Sequence, residues 1–362
     1  MQKKLIALAV ASLVSAPVFA QSQVSVYGVI DQAIDSGNYG GTIGSVSRLT
    51  GSGYTTERLG FKGSEDMGNG MKANFILELG QRTDTGMLDN AAGQLFQRAS
   101  TVGLSGSWGA VNFGRQYTPV FSIQAANDIF RVAGIGSAYA LTNTGVTRAN
   151  NSVRYDSNSM SGFTFAGMYT FGDTGIASAY QESDVTASPK DQGRHVGLNL
   201  KYANGPMALG MGWGGQKNML ANVAGTIVTT KTTSFIGSYD FKVVAVNAGW
   251  QSVNNDAAPT RTADARVWNI GATVPVFGKD HIKIAYHNFH NKLVASGDAK
   301  LWSLGYVHPM SKRTTLYGTW AKMTNDAAAS SGLFGAPGTA AQRAAMAGYD
   351  PSALQVGISH AF

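Results

Sequence analysis

The stretch that decides the fold is Leu354-Gln355-Val356-Gly357-Ile358-Ser359-His360-Ala361-Phe362, at the end of the sequence. Successive side chains of a strand point to opposite faces. Here one face carries the larger side chains from Val356 to Phe362, and the other carries only Gly, Ser and Ala. An unpaired strand edge invites pairing with other chains, and a closed barrel removes that edge. We therefore expect this strand to pair with the opening strand, residues 23–30, and to close a barrel.

The first twenty residues have the form of a secretory signal peptide. A basic start at residues 1–4 precedes an apolar run at 5–15, and Val18-Phe19-Ala20 supplies the residues at the −3 and −1 positions. The alternative, an N-terminal anchor helix, needs a longer apolar run. We expect cleavage after Ala20, which leaves residues 21–362 as one domain. The loss of two lysines would lower the net charge of +7 by two.

The composition predicts an all-β chain. There are 45 Gly but only 9 Pro, with 14 Tyr and 16 Phe, and 14% of the residues are charged. After Ala20, no segment approaches the roughly 18 apolar residues that a transmembrane helix needs. The lack of cysteine excludes disulfides and thiolate metal sites. An exported chain of this kind is either a secreted β protein or an outer-membrane barrel.

Alternation favours the barrel. Residues 72–82 put charged and polar side chains mainly on one face and Ala, Phe and Leu on the other, while residues 163–171 begin and end on Phe. Membrane strands are about ten residues long and carry aromatic side chains near their ends. A soluble sandwich also alternates, but many such strands would need a large apolar core. The hydrophobic content of 44% is spread too thinly for that core.

Turn signals give the number of strands. Short signals at 65–70, 105–107, 157–162, 204–206, 275–278 and 309–311 alternate with long polar segments, such as 83–94, 117–148, 172–192 and 325–352. Bacterial outer-membrane barrels show this asymmetry, and about sixteen strands fit between these signals. A barrel of that size leaves an aqueous channel. The sequence therefore predicts a sixteen-stranded antiparallel transmembrane β-barrel around a water-filled pore.

Four motifs carry a family resemblance. They are Arg58-Leu59-Gly60-Phe61-Lys62-Gly63-Ser64-Glu65-Asp66-Met67-Gly68-Asn69-Gly70, Phe113-Gly114-Arg115-Gln116-Tyr117-Thr118-Pro119, Asn151-Ser152-Val153-Arg154-Tyr155 and the terminal Phe362. In combination they resemble Gram-negative general-diffusion porins, most closely the beta-proteobacterial, often anion-preferring branch. The resemblance spans the mature chain. It implies a homotrimer in the outer membrane that passes small hydrophilic solutes and anions, and a terminal strand that the assembly machinery reads.

The resemblance also implies a third extracellular loop that folds into the pore, which here is 117–148. Its apolar content, including Val120, Phe121 and Ile123, suits packing inside a lumen. Long loops without their own structure tend to be functional or disordered. An ordinary external loop is the alternative.

Charges across such a narrowing set ion selectivity, and rings of Arg or Lys favour anions. Alternation turns Arg58, Arg98 and Arg154 inward, and the resemblance places them on the basic side of the constriction. For each of them, a solvated residue in a wide polar lumen is the alternative.

Acidic side chains are expected to complete a transverse field. Glu78 points inward by alternation and Asp128 lies in the predicted constriction loop, so both are assigned to the acidic side. Arg82 points inward near the external mouth, where it would steer solutes. Arg115 is predicted to anchor the base of the loop.

Other functions have less support in the sequence. His287 and His290 are three apart on a strand, so they face opposite sides and cannot share a metal. No nucleophile elbow is present, and we expect no enzyme, cofactor or nucleic-acid partner. A barrel that acts as an adhesin or receptor through its loops, with a plugged lumen, stays open as the runner-up.

Overall fold

A computed structural model describes residues 23–89, 94–142, 146–172, 193–219, 227–256, 263–337, 342 and 347–362. The signal peptide and the cleavage site after Ala20 lie outside the described residues, so both stay predictions. In the described part of the chain, no helix is long and apolar enough to cross a membrane.

The described elements are almost all strands. They are β1 (Gln23–Asn38), β2 (Ser45–Gly51), β3 (Arg58–Gly68), β4 (Met71–Leu79), β5 (Gln81–Arg82), β6 (Met87–Leu88), β7 (Ala99–Gly106), β8 (Gly109–Tyr117), β9 (Arg148–Asp156), β10 (Phe163–Thr170), β11 (His195–Asn204), β12 (Met207–Met219), β13 (Ile227–Asp240), β14 (Ala245–Asn255), β15 (Asp264–Val276), β16 (Asp280–Asn291), β17 (Ala299–Pro309), β18 (Thr314–Asn325) and β19 (Ser352–Ala361). Two helices, α1 (Pro119–Asn127) and α2 (Tyr139–Thr142), lie between β8 and β9.

The predicted sixteen-stranded antiparallel barrel is confirmed. Apart from the small β5–β6 hairpin, the strands form one sheet in which sequence neighbours pair and β19 returns to β1. Seventeen segments fill sixteen positions, because β2 and β3 pair with successive parts of β1, at Gln32↔Gly51 and Val29↔Arg58. Connections of two to six residues lie at one end. Those at the other end are longer, apart from the six-residue connection 39–44 between β1 and β2.

Closure takes place further along β1 than the sequence predicts. β19 pairs with β1 from Val29↔Ala361 to Asn38↔Ser352, and residues 23–28 pair with β3 instead. Gly28 N–H donates to Phe362 O at 3.2 Å, and Phe362 N–H donates to Gly28 O at 3.1 Å. The offset follows from the stagger between strands that closing a tilted barrel requires.

A break in the wall separates β2 from β3. The buried Asp31 carboxylate accepts hydrogen bonds from the N–H groups of Gly53, Tyr54 and Thr55, at 2.8 to 3.1 Å. These bonds hold residues 52–57 out of the sheet. The sequence shows no sign of this interruption, because it depends on a carboxylate in the neighbouring strand.

The two faces of the wall differ in polarity. In β17 every second side chain is exposed, and the exposed ones include Trp302, Leu304 and Tyr306. The opposite face carries buried polar side chains in several strands, among them Asn199, Asn247 and Asn269. Apolar side chains outside and polar ones inside are what a membrane barrel requires.

Candidate functional site

Segment 117–148 begins with a helix that packs on glycines. Thr118 Oγ1 accepts a hydrogen bond from Phe121 N–H at 3.3 Å and caps α1, whose first turn holds Pro119. A Cβ added to Gly212 of β12 would lie 3.0 Å from Ile123 Cγ1. Glycines two residues to either side of Gly212 have similarly close contacts with the helix. The polar face of β12 therefore carries no side chains at the place where α1 lies.

The segment then crosses the polar face of several strands. Gln124 Nε2 donates to Gln251 Oε1 of β14 at 2.7 Å, and Asn127 Nδ2 donates to Asn269 Oδ1 of β15 at 2.8 Å. Further along, Lys283 Nζ of β16 donates to Ile129 O at 2.8 Å, and Ser303 Oγ of β17 donates to Gly136 O at 3.0 Å. These bonds hold residues 124–136 against the face of the wall that carries polar side chains.

Tyr117 joins two arginines where the segment leaves and rejoins the wall. Its hydroxyl oxygen accepts hydrogen bonds from Arg148 Nη2 at 2.6 Å and from Arg98 Nη2 at 3.2 Å. Arg148 Cζ lies 4.2 Å from the centroid of the Tyr117 ring. From the sequence, Arg148 is predicted only as the end of the loop. Its place depends on the irregular pairing of β8 with β9, whose register shifts between Gly114 and Gln116, and the sequence does not reveal that shift.

Glu78 lies on the same wall as the arginines, and not across from them. Its Oε1 is 2.7 Å from Arg98 Nε, and its Oε2 accepts a hydrogen bond from Tyr27 at 2.9 Å. Arg58 on β3 donates to Thr56 O and Thr56 Oγ1, at 3.0 and 2.8 Å. Glu78, which is predicted for the acidic side of the constriction, is therefore the partner of Arg98, which is predicted for the basic side.

Arg154 also has an acidic partner. Its Nη2 and Nε lie 2.6 and 2.9 Å from the two carboxylate oxygens of Asp156, and its Nη1 donates to Tyr117 O at 2.7 Å. The described wall thus gathers four cations, Arg58, Arg98, Arg148 and Arg154, around two carboxylates. Arg115 donates to Gln97 O and to Asn150 Oδ1, contacts that suit the predicted anchor.

Asp128 faces its own segment. Its carboxylate accepts hydrogen bonds from Phe130 N–H at 2.8 Å, Val132 N–H at 3.2 Å and the Ser137 hydroxyl at 2.5 Å. Burial raises the pKa of the Asp128 carboxyl, and these hydrogen bonds act in the opposite direction. The carboxylate holds a turn in which Arg131 and Val132 adopt φ values of +64° and +56°. The Asp128 carboxylate therefore does not project from the segment as the predicted acidic side of the constriction.

That turn presents a cation instead. Arg131 is exposed, and its guanidinium carbon lies 4.8 Å from the centroid of the Tyr54 ring. Tyr54 itself is stacked on Tyr317, with ring centroids 5.4 Å apart. Consecutive non-glycine residues at positive φ are uncommon, and such strain persists only where the surrounding structure imposes it.

The comparisons with known proteins agree with this architecture. The model of the Gram-negative porin family matches residues 7–328. The chain belongs to the Gram-negative porin family. Outer membrane porin protein 32 of Delftia acidovorans is 33% identical over 371 residues, with all of both chains covered. An outer membrane porin protein of Bordetella pertussis is 29% identical, over 89% of this chain and 94% of its own.

A solved structure extends the likeness to three dimensions. The anion-selective porin from Comamonas acidovorans superposes with a TM-score of 0.81 at 32% identity, over 94% of this chain and 100% of its own. The protein is thus a porin of the outer membrane, and its barrel is a water-filled channel for passive diffusion of small hydrophilic solutes. This confirms the predicted family, location and principal function.

The mouth of this porin holds Arg82. Its Nε lies 3.0 Å from Asp89 Oδ1, and its side chain is 59% exposed. A cavity of about 870 Å³ extends from there to Tyr139 of segment 117–148, called the inner segment below, and also takes in Arg48 and Glu57. No group of three or more His, Cys, Asp or Glu side chains that could hold a metal occurs among the residues described.

Proposed function

We propose that this porin passes anions in preference to cations. The selecting groups are the wall arginines, Arg58, Arg98, Arg148 and Arg154, together with Arg131 on the inner segment. The observation that carries the proposal is the arrangement within 117–148. Asp128 is buried in hydrogen bonds, while Arg131 is exposed. The structurally similar porin from Comamonas acidovorans is described as anion-selective.

The charge balance of the wall supports the same conclusion. Each of its two carboxylates is bonded to one arginine, Glu78 to Arg98 and Asp156 to Arg154. Arg58 and Arg148 donate only to uncharged oxygens in the described contacts. A lumen with an excess of fixed positive charge concentrates anions and repels cations. Salt screens such fields, so the preference should weaken as ionic strength rises.

The narrowing itself is part of the proposal. Segment 117–148 is bonded to the polar face of β14 to β17, and a chain segment on that side reduces the space inside a closed barrel. We assign the constriction to the gap between this segment and the wall of β3, β7 and β9. In this arrangement Asp128 positions the segment, Glu78 orients Arg98, and Arg82 steers solutes at the mouth.

Purified porin in a planar bilayer tests the selectivity. With a tenfold gradient of KCl across the membrane, the zero-current potential should have the sign of a chloride-preferring channel. Its magnitude should fall when both chambers are raised in salt at the same ratio. A potential of the opposite sign would refute the assignment of the arginines. A barrel without conductance would favour the receptor function instead.

We further propose a homotrimer that associates through the outward face of β19, β1 and β2. That face is aliphatic, with Ile34, Leu49, Leu354 and Val356 more than half exposed. Lipid-facing surfaces of membrane barrels carry aromatic girdles, and this face has no Trp or Tyr among its outward side chains. The rest of the outward surface contacts outer-membrane lipid.

Transport in this proposal is diffusion alone, without a catalytic step, a cofactor or a nucleic-acid partner. The exported chain is cleaved after Ala20, and the mass of the purified protein reports that cleavage.

A further inference from the structure

An aliphatic side chain is exposed on the polar face of β4. Ile76 is 38% exposed, although the other side chains on that face of the strand are Lys72, Asn74 and Glu78. Glu78 is bonded to Arg98 of the lumenal wall, and a separation of two puts Ile76 on the same face. The interior of a channel-forming barrel is polar, so an aliphatic side chain exposed there marks a surface with a role of its own.

A tyrosine ring lies diagonally across from Ile76. Tyr27 of β1 is opposite Gly60 of β3, and Gly60 is in turn opposite Glu78. A Cβ added to Gly60 would lie 2.4 Å from Tyr27 Cζ, so the ring occupies the space over this glycine. Diagonal neighbours on one face of a sheet lie within reach of an aromatic side chain. Tyr27 and Ile76 therefore form a small apolar surface on the lumenal wall.

Two cations flank this surface along β3. Arg58 and Lys62 lie two residues before and two residues after Gly60, so all three share one face. Lys62 is exposed and is directly opposite Ile76. Its Nζ lies 5.1 Å from the centroid of the Tyr27 ring, a distance at which a cation is attracted to an aromatic face.

The positive charge of Lys62 is not neutralised by an acid. Among the residues that the structure describes, Lys62 has no ion pair and no hydrogen bond. The nearby acid Glu78 is engaged elsewhere, since its Oε1 is 2.7 Å from Arg98 Nε and its Oε2 accepts from the Tyr27 hydroxyl at 2.9 Å. An exposed ammonium group therefore lies directly beside an exposed apolar surface.

We infer that this surface is a binding subsite for aromatic carboxylates that pass through the pore. The carboxylate would contact Lys62, and the flat ring would lie against Ile76 and Tyr27, because aromatic rings pack in offset and edge-to-face arrangements. An acetate or chloride ion would use only the cation. The inference rests on the proposed anion preference, and it adds a discrimination among anions that charge alone does not provide.

Reduction of the chloride current by added carboxylates tests the inference. Potassium benzoate or potassium acetate is added at neutral pH to both sides of a bilayer that holds single channels in KCl, and the concentration that gives half of the maximal reduction is measured. Both probes carry one negative charge, and only benzoate has a ring. We expect the value for benzoate to be about tenfold lower than that for acetate, because only benzoate removes apolar surface from water.

Substitutions separate the apolar contact from the charge. Ile76→Ser removes only apolar surface, so it should raise the benzoate value about fivefold and leave the acetate value unchanged. Ile76→Leu is the matched control and should keep both values of the wild type. Lys62→Gln should raise both values by a similar factor. Ile76 is exposed, so its replacement should leave the fold and the chloride conductance intact.

Equal values for benzoate and acetate in the wild type would overturn the inference, and so would an unaltered benzoate value in Ile76→Ser. The zero-current potential in a KCl gradient is measured on the same channels. A wild type that prefers cations would refute the proposed function. A wild type that prefers chloride but does not distinguish benzoate from acetate would refute only this subsite.

Discussion

At the scale of single residues, Asp128 stabilises the turn of the inner segment and Arg131 supplies its exposed charge. Asp128 is buried in hydrogen bonds and Arg131 is exposed over Tyr54. Replacement of Arg131 by Gln removes one lumenal charge and leaves the turn intact, so the anion preference should fall. We expect the ratio of chloride to potassium permeability to drop about two- to threefold. The zero-current potential in a KCl gradient measures this ratio.

Arg131→Lys is the matched control for that change, because it keeps the charge and should keep most of the preference. An unaltered potential in Arg131→Gln would show that this side chain does not act on the permeating ions. Arg82→Gln at the mouth should change the potential less, since Arg82 is more than half exposed and is paired with Asp89.

Alternation predicted some of these residues better than others. On regular strands it turned Arg58 and Arg154 to the polar face, where each is bonded to other polar groups. The direction of Asp128 depends on the left-handed turn at Arg131 and Val132, three and four residues later, which has no period in the sequence. The partner of Glu78 depends on the pairing of β4 with β7 across a long connection. Such contacts are set by tertiary structure, so a local pattern could not predict them.

At the scale of an element, the glycines of β12 also make contacts that a local sequence pattern could not predict. Gly212 faces α1 and its neighbour Trp213 faces outward, an alternation of glycine and large residues that the sequence displays openly. From the sequence alone, these glycines indicate only that one face of β12 has no side chains, and they do not indicate that α1 packs there. The break at 52–57 was missed for a similar reason, because Asp31 lies in another strand.

The fit between β12 and α1 can be tested at Gly212. In Gly212→Val, the new Cβ would lie 3.1 Å from Val120 Cα and 3.0 Å from Ile123 Cγ1, so α1 must move away from the wall. Overpacking of this kind costs about 1–3 kcal/mol. The barrel should still fold, because the strand pairing is untouched. Displacement of the helix into the lumen should lower the single-channel conductance.

Gly318→Val is the control for that experiment. Gly318 lies in β18, and an added Cβ there would have no neighbour closer than 3.9 Å. Its conductance should equal that of the wild type. If Gly212→Val folds and conducts normally, the packing of α1 on β12 does not determine the width of the pore.

At the scale of the whole molecule, the strands that close each barrel, β1 and β19, also carry the surface that we propose to join the barrels of the trimer. Ile34 of β1 and Val356 of β19 are directly opposite each other across the closing seam, and both point outward. If this aliphatic face joins three barrels, Ile34→Trp and Val356→Trp should lower the temperature at which the trimer dissociates. A bulky ring overfills a packed interface but is tolerated where lipid can rearrange.

Leu209→Trp supplies the comparison, because Leu209 is exposed to a similar degree on β12, far from the seam. The dissociation temperature, followed by native mass spectrometry of heated samples, should fall for the two seam variants and stay constant for Leu209→Trp. A monomeric wild type would exclude the trimer. A seam variant as stable as the wild type would place the subunit contact on another face. The seam that closes each pore wall would then face lipid, and its lack of outward Trp and Tyr side chains would need a different cause.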